Sequence, residues 1–243
     1  MSWARCGDVW IVVNRGDEFD RGTMNGVGAT KHGASKPELH HAPQDLSDRV
    51  ALFITRCLRC CADLFFAKRY GHRAVVLETV AAVPGMVGAT MTHLSCLRRM
   101  VDDDGWIRTL MDEAENERMH LMTFVEIARP TAFERLVVLF AQGAFYIGYF
   151  GLYLASRRTA HRLVGYFEEE AVLSYSLFLD ELESGRMPNL PAPAIALHYW
   201  KLAPGAKLAD VVRAVRDDEA MHRDVNHGLA SALQHAASRS TRP

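Results

Sequence analysis

The stretch Glu117-Arg-Met-His120 decides the fold, because its pattern returns as Glu219-Ala-Met-His222 near the other end of the chain. Both have the form Glu-x-x-His. A spacing of three residues places a carboxylate and an imidazole side by side on one face of a helix, where together they can bind a metal ion. One such pair is common on a solvated helix face, so the prediction of a metal site depends on what accompanies the two pairs.

Each pair is preceded, one predicted helix earlier, by a carboxylate in an apolar stretch. Glu78 precedes the first pair and Glu168 precedes the second. The chain can turn between each carboxylate and its pair, at the charged segment 102–105 and at the proline-rich segment 187–193. Folding at these turns brings each carboxylate level with its pair. Four helices then supply Glu, Glu-x-x-His, Glu and Glu-x-x-His, the ligand set of carboxylate-bridged di-iron and di-manganese bundles.

Other polar residues near these pairs are candidates for supporting roles. The triple acid that begins at Glu168 turns through about 200° on a helix, so its carboxylates cannot all face one site; Glu168 is the predicted ligand and Glu170 the second choice. Tyr175 lies two turns after Glu168 on the same face, either as a donor of an electron and a proton or as a hydrogen-bonded core tyrosine. Asn116 and Asp218 either support the histidines or lie on the charged surface.

The rest of the chain also shows helical patterns. Apolar residues recur at helical spacing, no strong strand signal is present, and Pro84 is expected to kink the second helix. The predicted class is all-α: a ferritin-like four-helix bundle with a di-metal centre, plus two additional interfacial helices. The bundle domain is expected over residues 45–234, between a poorly ordered N-terminal tail of residues 1–44 and a C-terminal tail of residues 235–243. The predicted helices cover 46–70, 74–100, 106–127, 132–154, 160–184 and 208–233, with a short piece at 195–200.

The balance of charges argues against nucleic acid as a partner and limits how the protein could contact a membrane. The 28 Lys and Arg residues nearly equal the 29 Asp and Glu residues, so the chain has no net positive charge that would favour binding to nucleic acid. Any contact with a membrane therefore has to come from apolar surface. The uncharged stretch 136–155 is long enough to span a bilayer. A span would place Glu117 and Glu168 on opposite sides, so we expect this helix to lie along the interface beside the first helix, in a monotopic protein. The alternative is that both apolar faces form a dimer interface.

Neither the cysteines nor the first residues indicate secretion. The cysteines form an odd set without the spacing of a secreted disulfide framework, so reduced thiols in a reducing compartment are expected. The first 44 residues fit neither a transit peptide nor a signal peptide. The five cysteines are Cys6, Cys57, Cys60, Cys61 and Cys96.

The candidate metal ligands lie in four segments of the sequence. They are Leu77-Glu-Thr-Val-Ala-Ala-Val-Pro-Gly-Met-Val87, Glu115-Asn-Glu-Arg-Met-His-Leu-Met122, Gly165-Tyr-Phe-Glu-Glu-Glu-Ala171 and Asp217-Asp-Glu-Ala-Met-His-Arg-Asp-Val-Asn-His227. Together they closely resemble the cyanide-insensitive alternative oxidases of mitochondria. The resemblance implies a ubiquinol:oxygen oxidoreductase that reduces dioxygen to water at two non-haem iron ions without pumping protons. It also implies a homodimer on the matrix face of the mitochondrial inner membrane, with the bacterial cytoplasmic membrane as the alternative.

Carried over by position, the resemblance assigns a role to each candidate. Tyr175 becomes the redox-active tyrosine. Phe167 and Asp217 replace the leucine and alanine that the family usually has, and Cys6 lies upstream of the matched sequence, so no thiol regulation is predicted. The metal ligands are Glu78, Glu117, His120, Glu168, Glu219 and His222. A quinol pocket is expected near Arg59, Arg73, Leu77, Glu170, Ala171 and Ser174.

Other functions share the same metal ligands and stay open as alternatives. One is a related di-iron enzyme, such as a plastoquinol terminal oxidase or a hydroxylase. Another is a non-catalytic iron-binding bundle, which would not need two apolar interfacial faces.

Overall fold

The computed structural model describes residues 2–6, 9–13, 41–66 and 70–240 of the chain. These residues form seven helices and a hairpin of two antiparallel strands. The strands are β1 (Ser2–Cys6) and β2 (Val9–Val13). The helices are α1 (Leu46–Phe66), α2 (Tyr70–Arg99), α3 (Trp106–Ala128), α4 (Ala132–Ala155), α5 (Arg157–Glu183), α6 (Ala194–Tyr199) and α7 (Leu208–Ser240).

Four helices form the bundle, as two hairpins. α2 packs along α3 and α5 packs along α7, and these are the most extensive helix contacts in the described part of the chain. The first hairpin turns at residues 102–105, where Gly105 adopts a φ of 87° that favours glycine. Its helices approach closely because Gly85 has no side chain: a Cβ there would lie 2.4 Å from the backbone oxygen of Leu110. The second hairpin is closed by the proline-rich connection and α6.

Two further helices flank the bundle. α4 packs against α2 and α5, and α1 packs against α5. α4 begins with a capping box, in which the Thr131 side chain accepts a hydrogen bond from the Glu134 N–H and the Glu134 side chain accepts one from the Thr131 N–H. The side of α4 that faces the bundle carries Tyr149 and Tyr153, both buried.

The buried apolar side chains form two main clusters. One joins α5, α6 and α7 through residues such as Phe178 and Val212. The other joins α1, α2, α4 and α5 and includes Val83 and Leu163. Because such cores are close-packed, they fix the rotation of each helix and hence the direction of its buried polar side chains.

The all-α prediction is confirmed, and the predicted helices correspond one to one with those observed. α2 runs without interruption through Pro84. α5 begins at Arg157 rather than at residue 160, because the Ser156 hydroxyl accepts a hydrogen bond from the Thr159 N–H and caps the helix there. α1 is described over Leu46–Phe66, and its predicted last residue, 70, is the first residue of α2.

The outer parts of the chain are less fully described. The β1–β2 hairpin, which no strong strand pattern predicted, precedes the bundle. Most of the predicted N-terminal tail, residues 1–44, and the last three residues of the predicted C-terminal tail lie outside the described residues. α7 continues to Ser240, well past the predicted end at residue 233. The boundaries between tails and domain stay a prediction.

Candidate metal centre

Six buried side chains from the four bundle helices meet inside the bundle. α2 and α5 each contribute one carboxylate, while α3 and α7 each contribute a carboxylate and an imidazole three residues apart. The exposed fraction of every one of these residues is 8% or less. They are Glu78, Glu117, His120, Glu168, Glu219 and His222.

The six side chains form two groups that share two carboxylates. Within each group the ligand atoms lie within 4.8 Å of one another. Glu117 and Glu219 belong to both groups and could contribute to two ions, whereas each remaining residue belongs to one group. The first group is Glu78, Glu117, His120 and Glu219, and the second is Glu117, Glu168, Glu219 and His222.

Short distances connect the imidazoles to the carboxylates. His120 Nδ1 lies 3.3 Å from an oxygen of each of Glu78, Glu117 and Glu219. His222 Nδ1 lies 2.6 Å from Glu117 Oε1. The Nδ1 atoms of both imidazoles therefore face the space between the carboxylates.

Most polar atoms that face this space lack a well-oriented hydrogen bond. Among the described residues, such atoms include both oxygens of Glu117, the Nδ1 atoms of His120 and His222, and one oxygen each of Glu78 and Glu219. A buried polar atom without a partner costs about 1–3 kcal/mol, so this number of them in one place requires compensation. Carboxylate oxygens and imidazole nitrogens are ligands of divalent first-row transition metals. The donor set fits two metal ions.

The electrostatics of the cluster also favour bound cations. Burial raises the pKa of Glu78 well above its usual range, and the carboxylates of Glu219 and Glu117 raise it further. The pKa of Glu168 is raised in the same way, by burial and then by Glu219. Burial opposes the charge of Glu117 as well, but the two imidazoles outweigh it and hold that pKa well below its usual range. Positive charge between the carboxylates relieves the repulsion that raises the first two pKa values.

A hydrogen-bonded group behind His120 fixes its orientation. His120 Nε2 lies 3.4 Å from Asp218 Oδ2. The same oxygen accepts hydrogen bonds from Asn116 Nδ2 at 3.0 Å and from Trp200 Nε1 at 2.8 Å. Burial opposes the charge of Asp218, but these three neighbours outweigh it and lower its pKa. An imidazole that donates from Nε2 presents the Nδ1 lone pair to a metal, so Asp218 selects the metal-binding tautomer.

Tyr175 touches the cluster from α5. Its hydroxyl donates a hydrogen bond to Glu78 Oε1, and its ring stacks on that of Phe124 with the centroids 5.6 Å apart. Burial raises the pKa of Tyr175 well above its usual range, and the Glu78 carboxylate raises it further. The hydroxyl therefore keeps its proton at neutral pH.

A cavity of about 810 Å³ reaches the cluster. Its wall is mostly apolar and is formed by α1, α2, α4, α5 and α7, and Glu78, Glu168 and Glu219 are part of it. An ion pair between Arg59 and Glu170 lies at the wall. All six residues predicted for a quinol pocket line this cavity: Arg59, Arg73, Leu77, Glu170, Ala171 and Ser174.

Comparison with known sequences decides the family. The sequence profile described as "Alternative oxidase" matches residues 30–231. The chain belongs to the alternative oxidase family.

Several curated members of the alternative oxidase family are close relatives. The chain is 57% identical over 188 residues to "Ubiquinol oxidase 1a, mitochondrial" of Oryza sativa subsp. japonica, a match that covers 77% of this chain and 57% of that protein. It is 53% identical over 196 residues to "Alternative oxidase 3, mitochondrial" of Glycine max, covering 81% of this chain and 60% of the relative. It is 55% identical over 188 residues to "Ubiquinol oxidase 1c, mitochondrial" of Arabidopsis thaliana, covering 77% and 57%. The chain thus spans less than two thirds of the length of these relatives.

The structure brings the sequence-predicted residues together. All six predicted ligands lie in one cluster, and Tyr175 contacts Glu78. Asp218 lies beside His120, whereas Asn116 reaches that imidazole only through Asp218. Asp218 and Asn116 are both buried, so the interpretation as a charged surface does not apply to them.

Three further buried polar residues near the centre were not predicted from the sequence. Glu113 lies one turn before the first Glu-x-x-His pair, Asn226 lies one turn after the second, and His161 lies two turns before Glu168. Burial raises the pKa of Glu113 to about 7. Extending each metal-binding helix face by one turn would have found Glu113 and Asn226, because residues four apart share a face.

Two helices of the described residues, α2 and α4, are long and apolar enough to cross a membrane by length and composition. The apolar window of α2 is 56% buried, against 11% for that of α4. α4 exposes large apolar side chains such as Leu136, Phe140 and Ile147, and α1 exposes Phe53 and Leu64. Because α1 and α4 also line the cavity, their exposed faces flank its wall.

Proposed function

We propose that this chain is a ubiquinol oxidase, which transfers four electrons from two ubiquinols to one dioxygen and forms two waters at a centre of two iron ions. The observation that carries the proposal is that the carboxylate cluster and the apolar cavity share residues: Glu78, Glu168 and Glu219 belong to both. A reductant in the cavity therefore contacts the residues that hold the metal. The names of the relatives from rice and Arabidopsis support ubiquinol as that reductant.

The six clustered side chains are proposed to hold the two iron ions, with Glu117 and Glu219 between them. A set of four carboxylates and two imidazoles suits iron in this class of bundle. When bound, the iron pair supplies the binding of dioxygen and the electron transfer to it. Tyr175, protonated and in contact with Glu78, is placed to donate an electron and a proton during that reduction.

The cavity suits a quinol with a long apolar tail. Ligand sites of this kind combine a mostly apolar wall with a few polar groups that orient the ligand. Here the polar groups are the Arg59–Glu170 ion pair and the Ser174 hydroxyl. The Glu170 carboxylate can accept a hydrogen bond from a quinol hydroxyl, and the apolar wall can hold the tail.

The exposed apolar faces of α1 and α4 are proposed to lie in one leaflet of a membrane. α4 packs against the bundle along one side, where Gln142 donates a hydrogen bond to the Thr79 backbone oxygen at 3.3 Å, so it stays beside α2 and leaves only its other face for lipid. The cavity would then open towards the lipid in which ubiquinol dissolves. The relatives are named mitochondrial, which supports a mitochondrial location. From the family resemblance we further propose the matrix side of the inner membrane and a homodimer.

Oxygen uptake tests the oxidase directly. Membranes that contain the expressed chain should consume oxygen when ubiquinol is added and cyanide is present, and the purified protein should contain about two iron ions per chain. A Glu117→Ala variant should lose both properties. The matched control is Glu115→Ala, because Glu115 lies on the same helix, is exposed and pairs with Arg118.

The alternatives give different results in the same assay. Iron binding without ubiquinol-dependent uptake indicates a non-catalytic bundle. Uptake with plastoquinol but not ubiquinol, or formation of a hydroxylated product instead of water, indicates a related di-iron enzyme.

Membrane attachment is tested with vesicles. Replacing Phe140 and Ile147 by Glu places two charges on the exposed face of α4 and should release the protein from liposomes, without changing its iron content. Leu190→Glu, at an exposed position outside α4, is the control. If this variant dissociates from a dimer into monomers but still binds membranes, the exposed face of α4 is a dimer interface.

A further inference from the structure

Two neighbouring sides of α1 carry cysteines that the metal centre does not use. One side consists of exposed residues that follow one another at intervals of three or four in the sequence, and residues with this spacing share a helix face. They are Phe53, Cys57, Cys60 and Leu64. Cys57 and Cys60 therefore lie in the apolar face of α1 that is proposed to contact lipid.

The adjacent side of α1 faces the cavity. Ile54, Leu58 and Cys61 also follow one another at intervals of four and three residues, and all three line the cavity. Neither Cys57 nor Cys60 is part of the cavity wall. Of the described cysteines in the seven helices, Cys61 is the one that borders the cavity.

Cys61 lies where the cavity meets the surface of the protein. On its side of α1, Ile54 is half-buried, whereas Leu58 and Cys61, nearer the end of the helix, are exposed. A side chain that is exposed and also lines a cavity lies at the mouth of that cavity. A group attached to the Cys61 sulfur would therefore occupy space at the mouth of the cavity that reaches the metal cluster.

The surroundings of Cys61 favour one class of reagent. Its thiol is free and exposed, and access is one of the conditions for a cysteine to react as a nucleophile. Because the cavity wall is mostly apolar, the molecules that enter it are mainly apolar. An apolar electrophile that dissolves in the membrane therefore suits this thiol better than a charged reagent does.

We propose that Cys61 is a covalent modification site for apolar α,β-unsaturated aldehydes, the class that lipid peroxidation produces, and that its modification closes the route of the quinol. The sulfur forms a bond to the β-carbon of the aldehyde, the carbon–carbon double bond becomes a single bond, and the thiol proton is transferred to the α-carbon. The addition needs no oxidant or reductant. The inference rests on the proposed function, because it takes the cavity as the site of ubiquinol oxidation.

The test treats the full chain in liposomes with trans-2-nonenal and then measures oxygen uptake with ubiquinol in the presence of cyanide. Peptide mass spectrometry gives the fraction of Cys61 that carries the adduct. The fall in rate should equal this fraction, and full modification should reduce kcat/KM at least about tenfold with the iron content unchanged. Decylubiquinone, which competes for the cavity, should slow the modification of Cys61 but not that of Cys96, which lies on α2 outside the cavity wall.

Cys61→Ser removes the nucleophile, so the rate of this variant should be the same before and after treatment. Cys57→Ser is the matched control, because Cys57 lies one turn earlier on α1 and outside the cavity wall; this variant should stay as sensitive as the wild type.

Three results would each overturn the proposal: inhibition of Cys61→Ser to the same extent as the wild type, full activity of the Cys61 adduct, or no protection of Cys61 by decylubiquinone. Failure of the proposed function is distinguishable from these results. In that case the untreated wild type would consume no oxygen with ubiquinol, whereas the modification of Cys61 and its protection would still be measured.

Discussion

The Tyr175 hydroxyl donates a hydrogen bond to Glu78, a carboxylate that belongs to both the metal cluster and the cavity wall. This contact places a protonated phenol between the proposed sites of quinol oxidation and oxygen reduction.

Tyr175→Phe removes the hydroxyl and keeps the ring that stacks on Phe124. If the phenol donates an electron and a proton, oxygen uptake should fall at least about 100-fold while both iron ions remain. The measurements are ubiquinol-dependent oxygen uptake and metal analysis. Tyr166→Phe is the control, because Tyr166 is buried on the same helix and its hydroxyl donates to the His41 backbone oxygen instead. Full activity in Tyr175→Phe would rule out the relay.

Loss of a shared carboxylate should affect both ions, whereas loss of an unshared one should affect a single ion. We expect Glu117→Ala to retain almost no iron and Glu78→Ala to retain about one ion per chain, because Glu117 belongs to both ligand groups. Metal analysis after reconstitution with ferrous iron measures the difference. Equal iron contents in the two variants would contradict the bridging position of Glu117.

Asp218→Asn should weaken metal binding without removing a ligand. The amide can present its NH2 group to His120, which favours the wrong tautomer, and changes of this type typically reduce metal affinity about 10–100-fold. Competition with a chelator gives the affinity. Asp217→Asn is the control, since Asp217 is exposed and pairs with Arg216. An unchanged affinity in Asp218→Asn would show that Asn116 and Trp200 orient the imidazole sufficiently.

Ala171→Phe should obstruct the cavity and leave the metal in place. Ala171 lines the cavity on α5, so a phenyl ring there competes with the quinol for space. We expect kcat/KM for ubiquinol to fall at least about tenfold, which corresponds to about 1.4 kcal/mol, with iron content unchanged. Leu177→Phe, at an exposed position of the same helix, should behave as the wild type. Wild-type kinetics in Ala171→Phe would place the quinol elsewhere.

The stability of the fold depends on a buried ion pair that is distant from the chemistry. Arg162 Nε lies 3.1 Å from Asp48 Oδ1, and the two side chains are 1% and 0% exposed. Asp48→Asn leaves the guanidinium buried without its counter-charge and should lower the free energy of unfolding by about 3–5 kcal/mol. Urea denaturation followed by circular dichroism measures this change. Asp45→Asn breaks a more exposed pair with Arg158 and should lower it by about 1 kcal/mol or less.

The helices and the ligands could be predicted because both follow from short-range periodicity. Glu117 and His120 are three residues apart on one helix, so their common face is independent of tertiary structure. The turns at 102–105 and 187–193 then determine which carboxylate faces which pair. Even the exposed faces of α1 and α4 follow from their own sequences.

Contacts between the α2–α3 hairpin and the α5–α7 hairpin could not be predicted from short-range periodicity. That Glu117 and Glu219 are shared depends on the offset of one hairpin against the other, which close packing sets. The link from Glu113 through Asn226 to His161 joins three helices, so its contacts depend on how those helices pack and not on spacing within one of them. The start of α5 was missed because a single hydroxyl, that of Ser156, determines it.

The sharing of carboxylates gives the centre the symmetry of a dimer within one chain. The α2–α3 hairpin supplies three residues to the first ligand group and one, Glu117, to the second. The α5–α7 hairpin supplies three residues to the second group and one, Glu219, to the first. One such hairpin associated with a second copy of itself about a twofold axis would supply the same donors. Tyr175, which contacts Glu78, breaks this equivalence, because it makes the group that contains Glu78 chemically distinct from the other.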